Sequence, residues 1–183
     1  MRLSFTVIFL LSLILMACVN SFDKEDKEMG SLLELVDSSE ELLNSVDTAK
    51  LFNTVKDIKK ELWIFGNKYD TLDREAAFKV ADYYGGKKAL YFLTDNYQKF
   101  NNEINVARTQ LDALKKDLHS GAITKEKFLA YFKNEQQIIV VLNDKISNAI
   151  NGVDETVNKF IEEKPAIMEI LEKYRKDTTV ANE

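Results

Sequence analysis

The feature that most constrains the fold is an apolar stripe in the middle of the chain. Its members recur at alternating spacings of three and four residues, which is the a/d pattern of a helix that packs along its whole length. They are Leu90, Leu93, Tyr97, Phe100, Ile104, Ala107, Leu111, Leu114 and Leu118. The stripe predicts one helix from Lys87 to about His119, roughly 50 Å long at about 1.5 Å per residue, which stops at Ser120-Gly121.

A similar apolar period follows the short connection Gly121-Ala122-Ile123. Thr124 is a candidate cap, and the period is interrupted at Glu135 and Thr156 but otherwise runs through Phe128, Phe132, Ile139, Leu142, Ile146, Ala149, Val153 and Phe160. Because the connection is short, the two long helices should fold back on each other as an antiparallel hairpin. Pro165 is expected in the first turn of a final helix.

The first half of the chain also has helical spacing. Ser31, with Glu34 three residues later, predicts a capping box in front of an apolar-periodic run. Asp47-Thr48 is a second candidate cap, so the pattern leaves open whether residues 31–65 form one helix or two. Thr71 should start a shorter helix that ends at Gly85-Gly86.

These patterns predict an all-α fold, an elongated antiparallel bundle of four to six helices. One Pro and six Gly in 183 residues argue against a turn-rich β fold. An intermolecular parallel coiled coil is the alternative. Aromatic residues within the stripes favour the broader core of a bundle over a two-stranded seam; they are Tyr97, Phe100, Phe128, Phe132 and Phe160.

The N-terminus has the pattern of a lipoprotein signal. A mostly apolar stretch from Leu3 to Met16 follows Arg2 and leads to Leu15-Met16-Ala17-Cys18, a lipobox that contains the single cysteine. An ordinary secretory signal and an uncleaved membrane helix are the alternatives, but the apolar run is shorter than the ~20 residues that a span requires. The boundaries that follow are a signal peptide over 1–17, a lipidated flexible tether over 18–30, one helical domain over 31–177 and a frayed C-terminus over 178–183.

Composition and missing motifs narrow the function. The net charge of −5 disfavours nucleic acid as a partner, because binding it requires a clustered basic face. No phosphate loop, nucleophile elbow or zinc motif occurs, and we predict no enzymatic activity, no cofactor and no metal site. His119, the only histidine, is expected to complement a helix C-terminus. Adjacent carboxylates such as Glu162-Glu163 point in different directions on a helix and are expected on solvated faces.

Two groups of residues are candidate contacts for a partner. The first is aromatic and surrounds the least regular part of the chain: Trp63, Tyr69, Tyr83 and Tyr84. Such residues either cap a bundle or anchor an interface. The second group is basic and comprises Lys173, Arg175 and Lys176. It would bind an anionic glycan or an acidic protein patch, or it would simply complement the end of a helix.

A small, acidic, all-helical lipoprotein of this kind resembles the surface lipoproteins of Borrelia spirochaetes. Tyr69-Asp70-Thr71-Leu72-Asp73 resembles the Tyr-Asp-x-x-Asp segment of the virulent-strain-associated lipoprotein family, which includes complement regulator-acquiring surface proteins. Ile123-Thr124-Lys125-Glu126 resembles the start of a late helix in that family. The likeness covers roughly Leu51 to Lys164, and this chain lacks the longer segment that family members carry between the two landmarks. Factor H-binding lipoproteins of relapsing-fever species are a second, equally helical likeness.

The resemblance implies a lipid-anchored, surface-exposed protein of the outer membrane that binds a host protein, most concretely a complement regulator of the factor H type, in immune evasion. It also makes Pro165 to Lys176 a candidate homodimer interface. Three other functions remain open at this point. One is an adhesin for extracellular matrix, glycosaminoglycan or plasminogen, and another is a structural lipoprotein that faces the periplasm. The third is a small-molecule carrier, which requires that the bundle enclose an apolar cavity.

Overall fold

The computed structural model describes residues 22–68 and 71–175, and of Lys68 the backbone alone. Cys18, the predicted signal peptide, Tyr69 and Lys176 lie outside these residues. The described residues form six α-helices, which confirms the predicted all-α bundle: α1 (Asp23–Asn44), α2 (Thr48–Lys68), α3 (Arg74–Tyr83), α4 (Lys87–His119), α5 (Lys125–Ile150) and α6 (Val153–Glu172).

Helix α4 is the axis of the bundle. Its predicted stripe is buried from Leu90 to Leu118, except that Tyr97 is half-buried. Helices α1, α2, α5 and α6 of the same chain contact it, so the intermolecular coiled coil is not needed to bury the stripe. The predicted stop is confirmed, since Gly121 has a φ of +72° and its amide donates to the Leu118 carbonyl.

Helices α1 and α2 follow one another along α4 in the opposite direction. Arg108 of α4 pairs with Asp37 and Glu40 of α1, at 2.6 Å to each carboxylate. Further along, the ammonium of Lys59 lies 5.2 Å from the ring centroid of Tyr91. A break at residues 45–47 separates the two helices, and Asp47 Oδ1 accepts a hydrogen bond from the Lys50 amide at 2.9 Å. Residues 31–65 therefore belong to two helices.

Helices α5 and α6 form the second broken arm and run beside α1 and α2. Ser39 of α1 donates to the Asn143 side chain of α5 at 3.0 Å, and Lys164 of α6 pairs with Asp57 of α2 at 2.8 Å. Thr124 caps α5 as predicted and accepts from the Lys127 amide. The predicted antiparallel hairpin of the two long helices is confirmed.

Four predicted boundaries are wrong. The tether was expected to reach residue 30 and a helix to start at Ser31, but α1 starts at Asp23. Its first turn contains three acidic residues, which suit a helix N-terminus. Glu25 and Met29 are buried, and the Ser31 hydroxyl donates within the helix to the Lys27 carbonyl.

The second wrong boundary is the continuation of the α5 stripe to Phe160. Gly152, with a φ of +72°, separates α5 from α6. The third is Pro165, which lies inside α6 and does not start a new helix. The carbonyl that loses its usual donor is that of Ile161, whose side chain is 48% exposed, so this side of the helix faces solvent. The short helix α3 also starts later than predicted, with Asp73 as its cap.

Candidate functional site

An apolar run in α5 is the most unusual feature of the surface. Residues 138–142 are all aliphatic. Five consecutive residues point to all sides of a helix, so a single core-facing side cannot bury them all. Ile139 and Leu142 are in the core, whereas Ile138, Val140 and Val141 are 48%, 42% and 43% exposed. A helix that is apolar on more than its core face is normally covered by another element.

Two of these side chains line a groove between α4 and α5. The groove has a volume of about 510 Å³, and Val106, Ile138 and Val141 contribute exposed apolar surface to it. Its edges are formed mainly by polar side chains, namely Glu103, Gln110, Asn134, Gln137 and Lys145. Helix α1 packs on the other side of this helix pair, so the groove faces away from the bundle.

A second groove continues along the same pair of helices. It has a volume of about 520 Å³, contains Phe92, and shares Lys145 with the first groove. Phe92 is 51% exposed, and its ring makes an edge contact with the buried Phe100 at a centroid distance of 6.4 Å. We call this surface, defined by Phe92, Val106, Ile138 and Val141, the α4–α5 face.

The predicted aromatic group divides into exposed and buried members. Trp63 is 65% exposed, which is compatible with an interface anchor. Tyr83 and Tyr84 are only 2% and 4% exposed, which favours the bundle-cap alternative over direct contact with a partner. They are core residues at the end of the bundle, because their rings pack on each other and on Phe160.

The hydroxyls of both tyrosines meet a carboxylate that is itself held by a lysine. Each hydroxyl lies 3.3 Å from Glu61 Oε2, and Lys164 Nζ lies 2.7 Å from Glu61 Oε1. Burial raises the pKa of Tyr83, and the negative charge of Glu61 adds to the effect. Burial acts to lower the pKa of Lys164, but its hydrogen bonds to Asp57 and Glu61 outweigh burial and raise it. This cluster joins α2, α3 and α6 and is structural.

The predicted basic group lies at the end of α6 and is partly neutralised. Arg175 pairs with Glu172 at 3.3 Å. Lys173 lines a small recess of about 150 Å³ with Asp73, the cap of α3, and Glu75 in its first turn. Nearby, the Tyr174 hydroxyl donates to Asp73 at 2.5 Å, and this bond lowers the pKa of Asp73. This arrangement favours the role of a helix terminus over that of an anion-binding patch.

His119 has a partner that its position in the sequence does not indicate. Its Nε2 lies 2.9 Å from Asp26 Oδ1, and Lys115 Nζ lies 3.6 Å from the same oxygen. The hydrogen bond from His119 lowers the pKa of Asp26. The ring of Phe22 makes an edge contact with the imidazole. These contacts attach the start of α1 to the end of α4.

Comparisons with known proteins identify no relative: no family model, curated protein or solved structure matches the chain. Within residues 22–68 and 71–175, no helix is both long and apolar enough to cross a membrane. The same residues contain no group of three or more His, Cys, Asp or Glu side chains that could hold a metal ion.

Proposed function

We propose that this protein is a lipid-anchored surface lipoprotein without enzymatic activity that binds a host protein through the α4–α5 face. The observation that supports this proposal is the exposed apolar run of α5, where Ile138 and Val141 line a groove with polar edges. A hydrophobic centre surrounded by polar groups is the usual composition of a protein interface. Phe92 adds an aromatic side chain of the kind that is enriched among binding hot spots.

The proposed ligand is a complement regulator of the factor H type. This choice depends on the resemblance to Borrelia surface lipoproteins, whereas the position of the interface depends on the exposed side chains. An amphipathic helix or an apolar ridge of the partner would suit a groove between two helices. Cys18 would attach the protein to the membrane, and two or three acyl chains would anchor it firmly, at about 0.8 kcal/mol for each buried methylene.

Location is tested first on intact cells. Protease treatment should remove the protein while a periplasmic control protein stays intact, and protection of the protein would support the periplasmic alternative. The Cys18→Ala variant should be absent from the membrane fraction, and its helical content should equal that of the wild type. Continued partitioning of that variant into detergent would contradict lipidation at Cys18.

Binding is tested by capture from serum with a paired set of variants. The double variant Ile138→Asp/Val141→Asp changes the α4–α5 face, while Val140→Asp changes an equally exposed side chain that lies outside the groove. All these side chains are at the surface, so each single change should alter the stability by less than about 0.5 kcal/mol. We expect the double variant to lose the complement regulator and Val140→Asp to retain it.

Two results would contradict the proposal. If Val140→Asp loses the ligand as well, the effect comes from added charge and not from the groove. If serum yields no complement regulator, the ligand is wrong. Retention on matrix proteins or glycosaminoglycan that disappears at high salt would then support an adhesin, because salt screens exposed charge pairs.

A further inference from the structure

A groove larger than the two of the α4–α5 face lies near the buried tyrosines, beside the Phe92 end of that face. It is formed by the end of α2, Thr71 and Leu72, one side of α3, and the start of α4. Its volume is about 680 Å³. Small-molecule sites typically measure about 300–1,000 Å³, so the groove is large enough for a ligand.

The described lining is predominantly apolar. The walls are built by Leu62, Phe65, Leu72, Ala77, Val80 and Ala81. The side-chain hydroxyl of Thr71 and that of Tyr84 are the neutral polar groups of the described lining, and the Tyr84 hydroxyl already contacts Glu61. A peptide backbone or a sugar buried here would lack hydrogen-bond partners for most of its polar groups, which is unfavourable. The lining therefore favours a hydrocarbon chain.

One edge of the groove carries positive charge. Lys87 and Lys88, the first two residues of α4, belong to the described lining, which contains no carboxylate. Neither ammonium has an ion-pair partner within residues 22–68 and 71–175. In contrast, two other lysines near α3 are paired: Lys79 with Glu75, and Lys159 with Asp82, both at 2.8 Å. Lys87 is half-buried, with its ammonium 5.7 Å from the ring centroid of Tyr84.

We propose that this groove binds a single-chain amphiphile with a carboxylate head, that is, a long-chain fatty acid. The hydrocarbon chain would lie along Leu62, Phe65 and Val80, and the carboxylate would lie against the ammonium groups of Lys87 and Lys88. The charge of the lysines complements the head group, and the apolar walls complement the chain. The site does not depend on the proposed protein ligand, because none of the four residues that define the α4–α5 face lines this groove. The two surfaces meet at Lys88, which lines both this groove and the groove that contains Phe92.

Trp63 provides a direct measurement, because it is the only tryptophan and directly follows Leu62 in α2. The protein for the test comprises residues 19–183, which include the whole described core from Met29 to Leu171, and a thermal melt verifies that it folds. A nitroxide-labelled stearate should quench Trp63 in a saturable manner with one molecule per chain. Oleate below its micellar concentration should displace it.

Two variants and an uncharged probe test the two parts of the site. Ala81→Phe fills the groove from an exposed position of α3 and should abolish quenching; Ala77→Phe replaces it if the first variant does not fold. Lys87→Glu/Lys88→Glu should weaken oleate about tenfold, as expected for the loss of two exposed ion pairs. The control Lys127→Glu/Lys133→Glu makes the same change of net charge on exposed residues of α5 and should bind normally. Oleyl alcohol should bind about as weakly as oleate binds to the reversed-charge variant.

Three outcomes would overturn the proposal. The first is quenching that does not saturate, or that Ala81→Phe and Ala77→Phe leave unchanged. The second is equal binding of oleate and oleyl alcohol, which would remove the role of the lysines. The third is binding to anionic phospholipid vesicles without binding to monomeric oleate, which would make the groove a membrane contact. Loss of serum capture in the α4–α5 variants would not affect any of these readouts, so the two proposals fail separately.

Discussion

Lys125 places its ammonium 2.7 Å from a carboxylate oxygen of Glu25, a residue that is only 2% exposed. The pair joins the first turn of α1 to the first turn of α5. The other oxygen of Glu25 is buried and has no hydrogen-bond partner among the described residues. The hydrogen bond from Lys125 lowers the pKa of Glu25 below the ordinary value of 4.5, although burial opposes the shift.

This pair predicts a pH-dependent effect of Lys125→Met. Because the pKa of Glu25 is lower in the folded state, the pair stabilises the fold fully above about pH 4.5, and this stabilisation is lost as the pH falls through the lower folded value. Without Lys125, the buried carboxylate of Glu25 is charged and unpaired at neutral pH, which lowers the stability of the fold. Protonation at low pH removes this charge and therefore its unfavourable effect. The melting temperature of the variant should therefore be well below that of the wild type at pH 7 and approach it at pH 3.

Lys127→Met is the control for that experiment, because Lys127 is exposed and lies in the same turn of α5. Thermal unfolding followed by circular dichroism at both pH values is sufficient. A deficit of the same size at pH 7 and pH 3 would mean that the lost packing of the lysine stem, and not the charge pair, stabilises the structure.

The same pair explains why the sequence predicted the start of α1 incorrectly. The core side of α1 continues the spacing of four and three back through Met29 to Glu25. A carboxylate and the surrounding charges are typical of a solvated segment, so the pattern favoured a tether. Only the partner Lys125, one hundred positions later, makes burial of Glu25 acceptable.

The long stripe could be predicted because its period is uninterrupted, and every apolar aliphatic member is buried. The candidate site was harder to predict from the sequence. Sequence spacing assigned Ile139 and Leu142 to the core correctly, but it did not indicate which flank of α5 another helix covers. The five consecutive aliphatic residues at 138–142 are the signal that was available for the α4–α5 face. For Tyr83 and Tyr84 the sequence could not decide between core and interface, because aromatic side chains are common in both.

Burial along α4 predicts very different losses of stability for the same substitution at two positions that are two residues apart. Ile104 is 1% exposed, so Ile104→Asp places an unpaired charge in the core and should cost more than about 4 kcal/mol of unfolding free energy. Val106 is 54% exposed, and Val106→Asp should change the stability by no more than about 0.5 kcal/mol. Urea denaturation measures both. Similar losses in the two variants would mean that the α4–α5 face is covered in the isolated protein.

The glycine between α5 and α6 predicts the sign of a second pair of changes. Gly152 has a φ of +72° and no atom within 4 Å of the position of a Cβ, so only the backbone conformation disfavours alanine there. Gly152→Ala should lower the stability by about 1–2 kcal/mol. Gly30 lies inside α1 and also has open space around it, so Gly30→Ala should raise the stability by about 0.5–1 kcal/mol. Stabilisation by Gly152→Ala would mean that α5 and α6 join as one helix.

Lys164 allows the strengths of two ion pairs to be compared on one side chain. Its ammonium lies 2.7 Å from Glu61, whose side chain is 9% exposed, and 2.8 Å from Asp57, whose side chain is 57% exposed. Solvent screens the second pair more strongly, so a double-mutant cycle between Lys164→Met and Asp57→Asn should give less than about 0.5 kcal/mol. The cycle with Glu61→Gln should give about 1 kcal/mol or more, because Glu61 also accepts from Tyr83 and Tyr84. Equal coupling energies would mean that Glu61 is hydrated in solution, and that the polar cluster at this end of the bundle is looser than its contacts indicate.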